Sequence, residues 1–186
     1  TPIAGNLPTE AMNVIREDHL HPDLLYIGSD HGLYITMDGG KNYELVQGNI
    51  PNVSIYDMVI QKKENDLVIG SHGRSVFIMD LNPIYEMMKN KIAEISILNA
   101  PDTQLFQRRG TPSMDAMFYT SNSGEVQVTI KNSKGEAVKS WTENFPKGFN
   151  QVSWDLRPES GNPSRGKFSI ELNKNGQTNS KEFEIK

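Results

Sequence analysis

Cysteine is absent from all 186 residues, which excludes disulfides, thiolate catalysis and Cys-ligated zinc. No apolar run approaches the roughly 20 residues that span a bilayer as a helix. Charge of one sign is lacking too: 19 Lys and Arg are set against 23 Asp and Glu, for a net −4. The basic residues are scattered, which argues against a nucleic-acid footprint. There is no signal peptide, and the chain begins Thr1-Pro2 rather than with Met. The expectation is therefore a trimmed or processed piece of a longer protein. Its length suffices for one or two domains with real cores.

The most informative segment is Thr36-Met37-Asp38-Gly39-Gly40-Lys41-Asn42-Tyr43, directly after the apolar run Gly32-Leu33-Tyr34-Ile35. A carboxylate and two glycines between strand-like runs predict a turn. Asp38 can accept from backbone N–H groups just downstream, and Gly39 and Gly40 can take the positive φ that such a turn needs. Tyr43 opens the next strand and can cover the turn. The surrounding sequence repeats: Ile27-Gly28-Ser29 and Ile69-Gly70-Ser71 start similar runs 42 residues apart. Upstream of each lies an apolar strand and a polar turn. Strands are predicted at about 13–17, 24–29, 32–37 and 43–47, then at about 57–62, 67–71 and 75–80. Several short strands recurring with a period of about 40–45 residues are the signature of β-propeller blades.

The Thr36–Tyr43 segment resembles the Asp-box, the hairpin turn of neuraminidase-type and sortilin-type propellers, whose pattern has Ser, Asp, Gly, Ser or Thr, and Trp. Thr36, Asn42 and Tyr43 depart from that pattern conservatively. Asn13 to Asp18, Leu24 to Gly28, Met37 to Lys41, Asn65 to Arg74 and Phe77 to Asp80 resemble the last blades of large bacterial sortilin-type propeller proteins. Those are usually described as glycosyl hydrolases of the Asp-box, xyloglucanase-like kind. The resemblance covers nearly the whole chain, because a helical spacer and a small β-sandwich follow the propeller in such proteins.

Beyond Asp80 the pattern changes. Asn82 can cap a helix, Pro83 suits its first turn, and Ile84, Met88 and Ile92 fall on one face, so a short helix is predicted over about 83–92, with Met87 joining its buried side. Ile95-Ser96-Ile97-Leu98 reads as a strand. Residues 99–124 are a weakly patterned connection in which Gln104 to Gln107 and Met117 to Tyr119 are candidate short strands. From Glu125 alternation is clean: Val126, Val128 and Ile130; Val152, Trp154 and Leu156; Phe168, Ile170 and Leu172; Phe183 and Ile185. Period-2 strands between turn signals predict a small antiparallel sandwich. The run Gly148 to Arg157 resembles a segment of the Ig-like domains that end such propeller proteins. Trp154, on an apolar face, reads as core.

The expected fold is thus all-β: a partial propeller of about two blades over 1–82, a helix and connecting segment over 83–124, and an Ig-like β-sandwich over 125–186. Glycoside hydrolysis needs two carboxylates across a cleft, and none of the acidic residues matches a catalytic pair of the resembled family. No catalytic residue, cofactor or metal ligand is assigned. His19 and His21 read as solvent-exposed loop residues. Asp30, His31, His72 and Arg74 stand in the turns after the two Ile-Gly-Ser elements and are candidate ligand contacts at one mouth of the propeller channel. The resemblance implies a C-terminal, itself non-catalytic part of a secreted, surface or periplasmic glycosyl hydrolase-like propeller that meets polysaccharide. A sortilin-like peptide- or protein-binding propeller and a surface-docking Ig-like module are the alternatives. Neither nucleic acid nor a membrane span is expected; the exposed blade faces are expected to self-associate or to dock on the chain's own C-terminal sandwich.

Overall fold

In the computed structural model, residues 4–48, 50–90, 93–106 and 111–186 are described. Among the described residues the fold is all-β with one short helix and no closed barrel. The chain divides into two compact units, Thr1–Lys89 and Asn90–Lys186.

The first unit contains two antiparallel blade-type sheets. One has the order β1 (Met12–Glu17), β2 (Leu25–Ser29), β3 (Gly32–Thr36) and β4 (Glu44–Leu45). The other has β5 (Ile55–Gln61), β6 (Asp66–Ser71) and β7 (Val76–Asp80). Both carry a register irregularity near the start of their first strand, between Met12 and Val14 and between Ile55 and Asp57. The repeat therefore extends to the irregularity itself. The sheets stack through a close approach at Gly28, where a Cβ would stand 2.5 Å from Ile55 Cγ2 and 2.7 Å from Val14 Cγ1. Only glycine leaves room for the Ile55 side chain here. Arg16 adds a polar tie, its Nε donating to the Met58 carbonyl at 2.6 Å and its terminal nitrogen pairing with Asp57 at 2.6 Å.

After β7 the chain turns into helix α1 (Asn82–Lys89) instead of a fourth strand. The Asp80 carboxylate accepts from the Asn82 N–H at 2.9 Å and from the Asn82 amide at 2.8 Å, so Asp80 supplies the capping group. Asn82 itself is tied to the β5–β6 turn through Asn65 and the Glu64 carbonyl. The buried face of the helix is Ile84, Tyr85 and Met87, with Met88 half-buried, rather than the predicted Ile84–Met88–Ile92 stripe. The reason is Tyr85, whose hydroxyl is drawn inward to a buried carboxylate. Ile92 lies outside the described residues.

The second unit is an antiparallel sandwich. Its four-stranded sheet runs β11 (Ala137–Phe145), β10 (Gly124–Asn132), β13 (Gly166–Lys174), β14 (Gln177–Ile185), and its three-stranded sheet β12 (Gly148–Trp154), β9 (Met114–Thr120), β8 (Ile95–Asn99). The strands β8 and β9 precede position 125, so the sandwich takes in much of the segment read as a connection. Met114 to Thr120 is buried along almost its whole length and gives no half-exposed alternation to read. Within the candidate strand 104–107, Gln107 lies outside the described residues; just before it Thr103 bridges to Ile185. The core gathers Phe118, Val128, Phe145, Trp154, Phe168, Ile170 and Phe183 from both sheets. Trp154 is 3 % exposed, tilted against Phe168 at 5.8 Å and edge-on to Phe183 at 6.3 Å, and its indole N–H donates to the Arg157 carbonyl at 3.1 Å. The β13–β14 hairpin closes on Asn175-Gly176, both at positive φ, the backbone of a type I′ turn. Beside it Lys174 is buried, and its ammonium donates to Thr120 Oγ1 at 2.9 Å and to the Asn122 carbonyl.

Candidate functional site

The Thr36–Tyr43 turn is built around one carboxylate. Asp38 Oδ1 accepts from the N–H groups of Lys41 at 3.0 Å and Asn42 at 2.9 Å and from Thr36 Oγ1 at 2.8 Å; Oδ2 accepts from the Asn42 amide at 2.7 Å. Thr36 Oγ1 also accepts from the Gly40 N–H at 3.1 Å, a role that any β-hydroxyl can fill. Gly39 and Gly40 have φ of 71° and 88°. Burial works to raise the Asp38 carboxyl, and the donors around it outweigh burial and bring it down to about 2. Tyr43 is buried beside the turn and is pinned by Asn6, whose side chain accepts its N–H at 2.5 Å and donates to its carbonyl at 3.0 Å. The Asp38 carboxylate and the Thr36 hydroxyl are thus taken up by hydrogen bonds within the turn.

The four residues proposed for a channel mouth lie on the β2–β3 and β6–β7 turns. Ser54, just ahead of β5, joins the two. Its hydroxyl donates to Asp30 Oδ1 at 2.8 Å, and its carbonyl accepts the His72 N–H at 2.8 Å. Asp30 also accepts from the Asn13 amide at 2.9 Å. These two donors, Asn13 first, hold the Asp30 carboxyl below the usual range. His72 stacks obliquely on the exposed Tyr56 ring, with centroids 5.3 Å apart. His31 turns to Glu10 instead. Its Nδ1 meets the Glu10 carboxylate, leaving the imidazole 65 % exposed while Glu10 is only 12 % exposed. Burial pushes the Glu10 carboxyl up, and the contact with His31 reverses that push, so it too is held low. One Glu10 oxygen, Oε1, is buried with no hydrogen-bond partner among the described residues. Arg74 is exposed on the β6–β7 turn next to Ser75, which has a φ of 137°. Asp30 and His72 are thus brought together, His31 belongs to a neighbouring carboxylate, and Arg74 stays apart.

Glu10, Asn13, Ser54 and Tyr56 were missed by sequence reasoning. Each stands at or just before the first strand of its repeat, opposite the hairpin tips, and that position was the one available signal.

His19 and His21 are half-buried rather than exposed. Both rings lie against Tyr85, at 6.5 and 5.1 Å between centroids. They are drawn in by Asp18, which is buried and accepts from the Leu20 and His21 N–H groups at 2.8 and 3.1 Å and from the hydroxyls of Tyr26 and Tyr85 at 2.8 and 2.7 Å. No group of three or more His, Asp or Glu among the described residues is arranged to hold a metal ion. Among them, too, no helix is long and apolar enough to cross a membrane.

No family model matches the chain, and no curated protein matches it. Among solved structures it is similar to dimeric latent PorU from Porphyromonas gingivalis, at 14 % identity and a TM-score of 0.36 over 82 % of this chain. The chain spans 13 % of the length of that protein.

Proposed function

We propose that this chain is a non-catalytic part of a secreted, surface or periplasmic propeller protein of the glycosyl hydrolase-like kind, and that its rim binds polysaccharide. The observation that carries the reading is the convergence of both hairpin tips on Ser54. It sets the exposed Tyr56–His72 ring pair beside the Asp30, Asn13 and Ser54 polar groups. A sugar ring offers an apolar face for an aromatic platform and hydroxyls for fixed polar groups, and such sites join apolar surface to a few placed polar atoms.

The same electrostatics support binding without hydrolysis. A glycosidase keeps one carboxyl protonated as its acid. Glu10 and Asp30 are both shifted below the usual carboxylate range, away from the raised carboxyl such an acid requires, and Asp18 and Asp38, the other shifted carboxyls of the first unit, are held low as well.

The test is affinity electrophoresis of the full chain through gels containing individual soluble β-glucans, xyloglucan or bacterial exopolysaccharide, with reducing-sugar release measured in parallel. Retardation by at least one polysaccharide, reduced about tenfold or more in affinity by Tyr56→Ala and unaccompanied by sugar release, is the expected result. Release of reducing sugar that disappears in Glu10→Gln or Asp30→Asn would contradict the non-catalytic reading. Absence of retardation across the set would contradict the ligand class.

A further inference from the structure

The two sheets of the first unit are equivalent, but their faces are not equally covered. In each sheet, residues paired across strands share a face. On the first sheet the face that receives Ile55 carries Gly28 with its partners Val14 and Leu33, and next to them Tyr26 and Ile35. Leu33, Tyr26 and Ile35 are fully buried there. The pairings map these positions onto the second sheet. Gly28 corresponds to Gly70 and Leu33 to Val76, while Tyr26 and Ile35 correspond to Val68 and Ile78. The mapped face is open: Val59 is 59 %, Val76 63 % and Ile78 68 % exposed. A Cβ at Gly70 would meet only the Asp57 carbonyl, at 3.5 Å. The second sheet thus has the same glycine notch, rimmed by Val68, Val76 and Ile78 but with Asp57 where the first sheet has Val14, and among the described residues nothing is seated in it.

The complementary surface is also on this chain. The residue that fills the Gly28 notch, Ile55, occupies the position that Met12 holds in the first sheet, since both pair with the serine after the glycine. Met58, buried in the stack, corresponds to Ile15. Met12 and Ile15 are 37 % and 42 % exposed, and with Leu7 and Ile27 they line an apolar cavity of about 440 Å³.

We propose that the chain associates head to tail with further copies of itself, the Met12–Ile15 face of one copy seating on the Gly70 face of the next as Ile55 seats on Gly28. The occupant is a second copy because the interface within the chain repeats a pair of surfaces of which one of each is left open. Apolar side chains exposed together on one sheet face mark a missing partner. The contact is heterologous, joining two different faces, so it propagates as a ring or an open stack rather than stopping at a two-fold dimer.

The full chain, which contains no cysteine, allows an unambiguous test. Met12→Cys and Gly70→Cys are prepared separately, mixed and oxidised, and each is oxidised alone. Mixed material should cross-link and each variant alone should not. Sedimentation velocity from about 5 to 500 µM should show concentration-dependent association of the wild type. In Gly70→Ile and Ile78→Glu it should be weakened at least tenfold, with amide spectra that show both variants folded. A wild type that stays monomeric throughout, cross-links within Met12→Cys or Gly70→Cys alone, or association that survives Gly70→Ile would each overturn the proposal.

Discussion

Asp18→Ala is expected to destabilise the first unit by about 3–5 kcal/mol, because it leaves two phenol hydroxyls and two backbone N–H groups without their acceptor in a buried place, at about 1–3 kcal/mol for each group that water cannot reach. The carboxylate ties three parts of the sequence together: its own loop through Leu20 and His21, strand β2 through Tyr26, and helix α1 through Tyr85. Asp18→Asn, which keeps the shape and half of the accepting capacity, should cost less. Tyr85→Phe, which removes one donor, should cost about 1 kcal/mol. Native-state amide exchange of the full chain measures these losses, read on β1, β2 and α1.

The same group sets a pH dependence. Burial works to raise the Asp18 carboxyl, and hydrogen bonds from Tyr85, Leu20, Tyr26 and His21 outweigh it and leave it below the unfolded value of 3.8. A depressed carboxyl stabilises the fold above its unfolded pKa, and that contribution is lost as pH falls through the folded value. Asp38, brought down to about 2 from 3.8, acts in the same direction. Stability of the first unit should therefore fall between about pH 4 and pH 2. Asp18→Ala should flatten the part of that slope which Asp18 carries. An unchanged slope in the variant would show that Asp18 titrates alike in the folded and unfolded chain.

Trp154→Ala is expected to cost the second unit about 3–5 kcal/mol, the usual penalty for truncating a buried aromatic. The ring packs between Phe168 and Phe183, so its loss opens a cavity between the two sheets instead of a dent at the surface. Its indole N–H also satisfies the Arg157 carbonyl, just after Leu156, which is held at a φ of 61°. That conformation is uncommon for a non-glycine residue and persists only where its surroundings fix it. Both tryptophans, Trp141 and Trp154, are in this unit, so circular dichroism near 230 nm and amide exchange on β12 to β14 are better probes of the variant than fluorescence. Melting within about one degree of wild type would show that Trp154 does not carry the core.

The blade repeat was legible because its signals are local: strand alternation, the Ile-Gly-Ser elements and one turn carboxylate, Asp38, whose hydrogen bonds lie between Thr36 and Asn42. The strands of the sandwich that bury one face were legible for the same reason. What was missed depends on distance in sequence or on the lack of a pattern. Strand β11 sits at an edge, and Lys139, Ser140, Thr142 and Glu143 give it no apolar rhythm. Strand β9 has the opposite character, apolar throughout, and reads as a short run inside a connection. The buried Asp18 could not be told from an exposed strand end, because its decisive partner, Tyr85, is far away in the chain. The same is true of Ser54, whose contact with Asp30 exists only once the two sheets are stacked. Side chains that act between elements become visible when the elements are placed.

The first unit holds two sheets of matching strand pattern, one glycine notch filled and the other open. The most direct test is the matched pair Gly28→Val and Gly70→Val, compared by amide exchange in dilute solution. Overpacking at Gly28, where the new Cβ has Ile55 and Val14 under 3 Å away, should cost about 1–3 kcal/mol and lower protection in both sheets together. At Gly70 the change should stay within about 0.5 kcal/mol, as for a surface site. Equal losses in the two variants, or an undisturbed Gly28→Val, would contradict the stacked-blade architecture.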